Sequence, residues 1–348
     1  MAIARGTSGV SGRAPTWLAL TLGGALAGAL AFSGAALAEE EAEWPRGHYP
    51  LPEEGNVIGE TYTVTVEDHE DTLMDIAREH NVGYEEIIRA NPEVSIWIPG
   101  EGTEVTIPGR FILPDAEPTG VVINIAELRL YYFPKVREGE TPRVETYPIG
   151  IGREGFDTQT TMRLEDPAWY PPRSMREEAA ERGEPAPAVV PPGPDNPLGR
   201  HAVLLDIPGY LIHGTNEPDG IGMRASRGCI RMFPEDIESV FHNVPVGTRV
   251  NMIDQPIKVG WQDGQPLVQV FKPLEEQEHG MSALIETIAQ LNAGSANNGV
   301  AFDYEQLRGL LEAPSGQLVA LEPPPEREPE PAPALNTIFE ELVLHEES

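Results

Sequence analysis

The one cysteine of this 348-residue chain, Cys229, lies in a sequence suited to thiol chemistry. The surrounding residues read Ser226-Arg227-Gly228-Cys229-Ile230-Arg231, a glycine-containing turn in which backbone N–H groups can point at one spot. His213 stands sixteen residues earlier, directly after the apolar pair Leu211-Ile212. A thiol attacks as the thiolate, and a nearby imidazole can supply or stabilise that state. The pattern therefore predicts a thiol nucleophile at Cys229 with His213 as its base.

Two arginines place positive charge on either side of the thiol. Arg227 and Arg231 should lower the pKa of Cys229 and attract a substrate carboxylate. His213 and Cys229 can meet only on two adjacent segments, an arrangement that consecutive segments often adopt. The alternative is a packed, inert thiol beside two surface arginines. No two histidines have the spacing of a metal pair, so we expect no metal and no cofactor.

Short strands with frequent turns must position these residues. Apolar or alternating runs predict strands at 121–125, 128–133, 143–149, 201–206, 210–213 and 246–253, which is typical of a β-sandwich or barrel. Residues 165–200 form a proline-rich insertion, which is either functional or disordered. Within it, Ser174 and Glu177 predict a capping box for a helix over 175–182.

These features resemble the catalytic domain of the L,D-transpeptidases, the YkuD family. The family signature is a His, a gap, and then Ser/Thr-x-Gly-Cys-x-Arg/Asn, which here is His213 followed by Ser226 to Arg231. Gly150-Ile151-Gly152 and Asn196-Pro197-Leu198-Gly199 also fit. The resemblance covers residues 117–254 and implies a mainly β catalytic domain, a sandwich or barrel of the L,D-transpeptidase type.

The same resemblance implies a role for each residue of the site. Cys229 would be the nucleophile and His213 the base, and the backbone N–H groups from Arg227 to Cys229 would form the oxyanion hole. Arg231 would bind a substrate carboxylate. Arg227 replaces the His of some relatives, so its side chain is not expected to be essential. The oxyanion and substrate-binding residues are thus expected to be Arg227, Gly228, Gly214, Ser226 and Arg231.

An N-terminal unit over 59–109 has the pattern strand–helix–helix–strand. Thr61 to Val66 predicts a strand, Asp71 or Thr72 can cap a first helix, residues 85–90 predict a second helix, and residues 103–107 predict a closing strand. The unit resembles a LysM domain, although Glu70 stands where that family usually has Gly. LysM domains bind N-acetylglucosamine-containing glycans, which implies peptidoglycan here. With this βααβ unit, the chain is expected to be α+β overall.

The remaining segments are expected to be a signal peptide, a linker and two C-terminal segments. Residues 1–38 have the positive start, the apolar run and the Ala36-Leu37-Ala38 site of a cleaved signal peptide, with an uncleaved membrane anchor as the alternative. Residues 39–58 are expected to be a linker, 255–277 a small C-terminal extension, and 278–348 an acidic, partly helical or disordered tail. We therefore expect a soluble periplasmic protein that begins at Glu39.

The charge of the chain bears on its partners. Asp and Glu number 56 against 24 Lys and Arg, a formal charge of −32, so the chain should repel nucleic acid. A high-salt habitat would explain this charge, and so would a solvated surface without special meaning.

The expected activity is peptidoglycan L,D-transpeptidation. Cys229 would attack the L-centre carbonyl of the third stem residue of a tetrapeptide, release D-alanine, and pass the acyl group to an amine. The acceptor would be another diaminopimelate or the lysine of an outer-membrane lipoprotein, and carbapenem-type inhibitors would acylate the thiol. One alternative is a cysteine hydrolase of the NlpC/P60 type, but in that class Cys precedes His. The other is a non-catalytic wall-binding protein, which has no use for a reactive thiol.

Overall fold

The computed structural model describes residues 44–151, 157–224, 229–272, 281–294 and 301–325. The predicted signal peptide therefore lies outside the described residues, and so do Gly152, Ser226, Arg227 and Gly228. Among the described residues, no helix is both long and apolar enough to cross a membrane.

The segment expected to be a linker contributes to two sheets. β1 (His48–Pro50) pairs antiparallel with β6 (Arg143–Pro148), and β2 (Val57–Thr65) begins before residue 59. The prediction of a linker over 39–58 is therefore wrong for its second half. The acidic and proline-rich composition suggested a linker, but an edge strand tolerates proline because only one of its sides is paired.

The N-terminal unit has the predicted order of elements. β2 pairs antiparallel with β3 (Glu104–Ile112) from Val57↔Ile112 to Thr65↔Glu104, and α1 (Leu73–Glu79) and α2 (Tyr84–Ala90) lie between them in the chain. Thr72, one of the two predicted caps, is the N-cap of α1, and it also forms a capping box with Asp75. The unit has its own core, composed of Val66, Leu73, Met74, Ile76, Ala77, Val82, Ile87, Val105 and Ile107.

The central sheet has nine strands in the order β1-β6-β5-β4-β11-β7-β8-β9-β10. Its strands besides β1 and β6 are β4 (Gly120–Asn124), β5 (Arg129–Phe133), β7 (Asp157–Glu165), β8 (His201–Leu205), β9 (Leu211–His213), β10 (Ile230–Arg231) and β11 (Arg249–Ile253). Gly150, just after β6, exchanges two backbone hydrogen bonds with Arg231 of β10, of 2.9 and 2.8 Å. Because β6 and β10 lie near opposite edges of the sheet, this bridge shows that the sheet curls. Helix α4 (Pro234–Asn243) packs Ile237 and Val240 into its core.

The proline-rich insertion is held at both ends. Trp169 bridges Val190, and the buried Asn196 side chain donates to Pro167 O (2.7 Å) and Pro191 O (3.1 Å). Helix α3 (Arg173–Glu181) begins with Pro172 as its N-cap, without a side-chain cap. The predicted Ser174 capping box is wrong, because the helix begins earlier and Ser174 lies inside its first turn.

More of the C-terminal region is folded than the sequence predicted. β12 (Ile257–Gln262), β13 (Gln265–Val270) and β14 (Leu318–Ala320) form an antiparallel sheet, and α5 (Met281–Ala293) and α6 (Tyr304–Glu312) pack with it. The expected boundary at residue 277 therefore divides a folded unit. The shared core of this region comes from both the sheet and the chain that carries the helices, and it consists of Val268, Val270, Leu291, Phe302, Leu307, Leu311 and Leu321.

Candidate functional site

Parallel strand pairing positions the first two site residues. β10 lies beside β9 with Ile230 opposite Ile212 and Arg231 opposite His213. The two isoleucines are buried in the core of the central sheet. Since side chains alternate across a sheet, His213 and Arg231 project together from its other face. The sequence predicted that these residues share a site, and their pairing depends on this register.

His213 is nearly inaccessible, with 4% of its surface exposed. Its Nδ1 lies 2.6 Å from the carbonyl oxygen of Gly214. A carbonyl oxygen only accepts, so Nδ1 carries the proton and Nε2 keeps its lone pair. Burial, opposed by the Gly214 hydrogen bond and assisted by Arg231, lowers the pKa of His213 to about 4. The imidazole is therefore neutral at pH 7 and has a nitrogen available to accept a proton.

Cys229 lies immediately before β10, in register with the beginning of β9. Arg231 faces His213, and Cys229 precedes Arg231 by two residues. The half-buried thiol lies 3.7 Å from Gly209 O. Cys229 therefore stands at the beginning of the strand that pairs with the His213 strand.

The electrostatics of the thiol differ from the sequence prediction. Burial raises the pKa of Cys229, while a backbone hydrogen bond from Leu211 and the charge of Arg231 lower it by smaller amounts. The predicted lowering by Arg231 is confirmed in direction, but the loss of water outweighs it, so the pKa of the thiol is raised overall. Arg227, the other predicted contributor, lies outside the described residues. The resting site is therefore a neutral thiol beside a neutral imidazole.

A tight turn supports the residues that follow His213. Asn196 Oδ1 accepts from Leu198 N (2.9 Å), and Gly199 adopts φ +65°. A Cβ at Gly199 would lie 3.0 Å from the Thr215 nitrogen and 3.2 Å from Gly214. The Asn-Pro-Leu-Gly turn therefore packs directly on Gly214 and Thr215. The predicted role of Gly214 in substrate binding stays a prediction, and Ser226, Arg227 and Gly228 lie outside the described residues.

Sequence reasoning missed two groups near the thiol. The carbonyl of Gly209 and the backbone of Leu211 contact Cys229 from the turn between β8 and β9. The Pro208-Gly209 pair marks this turn in the sequence, but its approach to Cys229 depends on the pairing of β9 with β10.

Comparison with known proteins identifies the family. The YkuD profile, described as the L,D-transpeptidase catalytic domain, matches residues 118–252. The chain is 41% identical over 286 residues to the probable L,D-transpeptidase ErfK/SrfK of Escherichia coli strain K12, spanning 78% of this chain and 90% of that protein. It is also 41% identical to the probable L,D-transpeptidase YcfS of the same strain, over 78% and 87% of the two chains.

Solved structures match more loosely. An L,D-transpeptidase from Mycobacterium smegmatis aligns with 15% identity and a TM-score of 0.29, covering 44% of this chain and 63% of that chain. This likeness is too weak to guide the description of the site.

A thiol directly before β10 and a neutral imidazole on the paired strand β9 define a candidate acyl-transfer site. With the profile match and the relatives that span most of its length, the chain belongs to the L,D-transpeptidase family and is a transpeptidase enzyme.

Proposed function

We propose that this enzyme is a periplasmic L,D-transpeptidase that uses Cys229 to form a thioester with the peptidoglycan stem. The observation that supports the proposal is the register of β9 and β10, which aligns Arg231, two residues after Cys229, with a neutral His213. The donor would be a tetrapeptide stem, attacked at the L-centre carbonyl of its third residue, meso-diaminopimelate.

The first half-reaction forms the acyl-enzyme. His213 Nε2 takes the thiol proton of Cys229 as sulfur attacks the carbonyl carbon. The tetrahedral oxyanion would be held by the backbone N–H groups from Arg227 to Cys229, with Ser226, Gly228 and Gly214 lining the site. The carbon–nitrogen bond to D-alanine then breaks, and the imidazolium returns its proton to the leaving amine. Because thiol and imidazole are both neutral at rest, charge separates only as the bond forms.

The second half-reaction reverses these roles. An acceptor amine attacks the thioester, His213 removes a proton from it, and the proton returns to the Cys229 sulfur as the carbon–sulfur bond breaks. The acceptor is either the side-chain amine of another diaminopimelate or the lysine of an outer-membrane lipoprotein. Carbapenem-type inhibitors would acylate the same thiol.

Arg231 supplies the positive charge that an anionic stem needs. The chain carries a formal charge of −32, and the stem carries several carboxylates. Arg231 is half-buried beside the thiol, on the face that His213 occupies. A guanidinium can hold a carboxylate with two parallel hydrogen bonds, which would orient the stem on the thiol.

The N-terminal βααβ unit is proposed to act as a LysM domain that binds peptidoglycan glycan. Trp97 and Ile98, in the connection between α2 and β3, are 59% and 73% exposed. Exposed apolar side chains of this size are typical of a binding surface. In a Cys229→Ala background, Trp97→Ala should weaken binding to sacculi several-fold in a pull-down. Trp44→Ala, which removes a 40% exposed tryptophan outside the unit, is the matched control and should bind normally.

Incubation with tetrapeptide muropeptides tests the proposed reaction. A crosslinked dimer with release of D-alanine would support transfer to diaminopimelate, and a product formed only with added lipoprotein peptide would support the lysine acceptor. Free tripeptide without either product would make the protein a hydrolase. Unchanged muropeptide would contradict the proposal. Export is tested by N-terminal sequencing of a periplasmic extract, where a start at Glu39 is expected.

A further inference from the structure

The N-terminal unit holds the chain just before the segment that carries Cys229. The backbone N–H of Tyr84, the first residue of α2, donates to Ile221 O (2.9 Å), and that of Glu85 donates to Gly222 O (3.4 Å). The first N–H groups of a helix have no acceptor within the helix, and Gly83 provides no side-chain cap. The carbonyls of the loop between β9 and β10 therefore cap α2.

Gly222 makes this close approach sterically selective. Its φ is +88°, and an added Cβ would overlap the Tyr84 nitrogen and lie 2.6 Å from Gly83 Cα. A residue with a side chain at position 222 is strained in itself and pushes α2 away from the loop. Gly220, two residues earlier, has open space where a Cβ would lie, with no atom within 4 Å, and its backbone is not left-handed.

Arg224 fixes the same end of the loop to the rest of the protein. Its Nη2 donates to Ala126 O (3.1 Å), between β4 and β5, and to Lys272 O (2.6 Å), just beyond β13. The loop is therefore attached to all three folded parts of the chain within four residues, and Cys229 follows five residues later.

The N-terminal unit also holds the chain after Cys229. Arg78 of α1 makes two hydrogen bonds to the Glu235 carboxylate, of 2.8 and 2.7 Å, and its guanidinium lies 5.7 Å from the Phe233 ring centre. Arg46, which donates to Arg78 O, also pairs with Asp236. Glu235 and Asp236 lie in the first turn of α4, directly beyond β10.

We propose that the N-terminal unit is part of the active-site scaffold, clamping the Cys229 segment at Ile221–Gly222 before the thiol and at Glu235 after it. Gly222 and Arg78 are thus positioning residues that set the thiol against His213, in addition to any glycan binding by the unit. His213 itself is held by the pairing of β9 with β8 and β10. The inference rests on the proposed role of Cys229 in acyl transfer.

Gly222→Ala, compared with Gly220→Ala in the full-length protein, tests the upstream contact. Gly222→Ala should lower kcat for transfer about tenfold or more, since a small displacement of a reacting group is costly. KM for the stem should change little, because Arg231 and the other substrate contacts remain. The rate of Cys229 alkylation by iodoacetamide, followed against pH, should change as well, which a role in glycan binding alone would not cause. Gly220→Ala should match wild type in all three measurements.

Arg78 provides a second test if Gly222→Ala does not fold. Arg78→Glu should lower kcat a few-fold, because the pair with Glu235 is about 40% exposed and a pair of this kind contributes little energy. Glu235→Arg in the same chain should restore kcat by reversing the pair. Recovery by the double variant would separate a specific contact from general damage.

Two results would overturn the inference. One is a folded Gly222→Ala protein with the kcat and alkylation profile of Gly220→Ala. The other is loss of activity in Arg78→Glu that Glu235→Arg does not restore. If wild type transfers no acyl group, the proposed reaction fails, but the alkylation comparison still tests the clamp independently.

Discussion

His213 and Cys229 belong to neighbouring segments of the chain, but the contacts that hold the two segments differ. His213 ends β9, where Met232 N donates to its carbonyl (2.9 Å) and Gly214 O fixes its ring. Cys229 follows a long loop that contacts the N-terminal unit at Ile221 and Gly222, and helix α4, which follows β10, contacts that unit through Glu235. The proposed base is therefore held by the central sheet, whereas the segment that carries the proposed nucleophile is held both by the pairing of β10 and by the N-terminal unit. Variants of the thiol, the imidazole and the neighbouring arginine, and then a change of pH, test this difference.

Removing the nucleophile should have the largest effect. Cys229→Ala should abolish acyl-enzyme formation while leaving the thermal unfolding temperature and sacculus binding unchanged, because the thiol is half-buried and lies outside the main cores. Intact-mass spectrometry with a carbapenem should show one covalent adduct on wild type and none on the variant. An adduct on the variant would place the nucleophile elsewhere.

Removing the base should have the second-largest effect. His213→Gln keeps a polar side chain in the same strand but cannot act as a base near neutral pH, so kcat should fall about 10²- to 10⁴-fold. His201→Gln is a matched control, because His201 is a similarly buried histidine on the adjacent strand β8. If both variants lose activity equally, His213 contributes packing rather than proton transfer.

Removing the positive charge should have a moderate effect. Arg231→Ala should lower kcat/KM for the tetrapeptide about ten- to hundredfold, since a charge-assisted contact typically contributes about 1.5–3 kcal/mol. Arg231→Lys should recover only part, because the planar fork is lost. Arg200→Ala, which removes a 72% exposed arginine, is the control and should be nearly silent.

Alkylation of Arg231→Ala by a small neutral reagent should fall much less than transpeptidation. A modest decrease is expected because Arg231 lowers the thiol pKa. Parallel loss of both activities would mean that Arg231 serves thiolate formation or packing instead of carboxylate binding.

The pH dependence of the thiol should show the smallest effect. Burial raises the pKa of Cys229 above its ordinary value of about 8.5, so less thiolate is present at any pH below that folded-state value. Alkylation of the folded protein by iodoacetamide should therefore still be rising at pH 9. The same single cysteine in urea is the control and should react several-fold faster at pH 8. A plateau near neutral pH in the folded protein would indicate a thiolate–imidazolium pair instead.

Local patterns predicted much of the fold. Alternating runs predicted the strands around His213, and Thr72 predicted the start of α1, because these signals depend on neighbours within a few residues. Two predictions that relied on composition or on one short motif were wrong. The proline-rich segment before residue 59 includes a paired edge strand, and the Ser174 motif does not cap α3.

The family and the residues that could perform the chemistry follow from the amino-acid sequence, because His213 and Cys229 with its flanking residues form a distinctive pattern of types and spacing. Their electrostatics depend on the tertiary structure. The pKa of Cys229 is raised because burial outweighs Arg231, and burial is a property of the whole fold. The contacts of Tyr84 with Ile221 and of Arg78 with Glu235 join residues more than a hundred positions apart. No local pattern can specify such pairs, because they exist only once separately folded units have packed together.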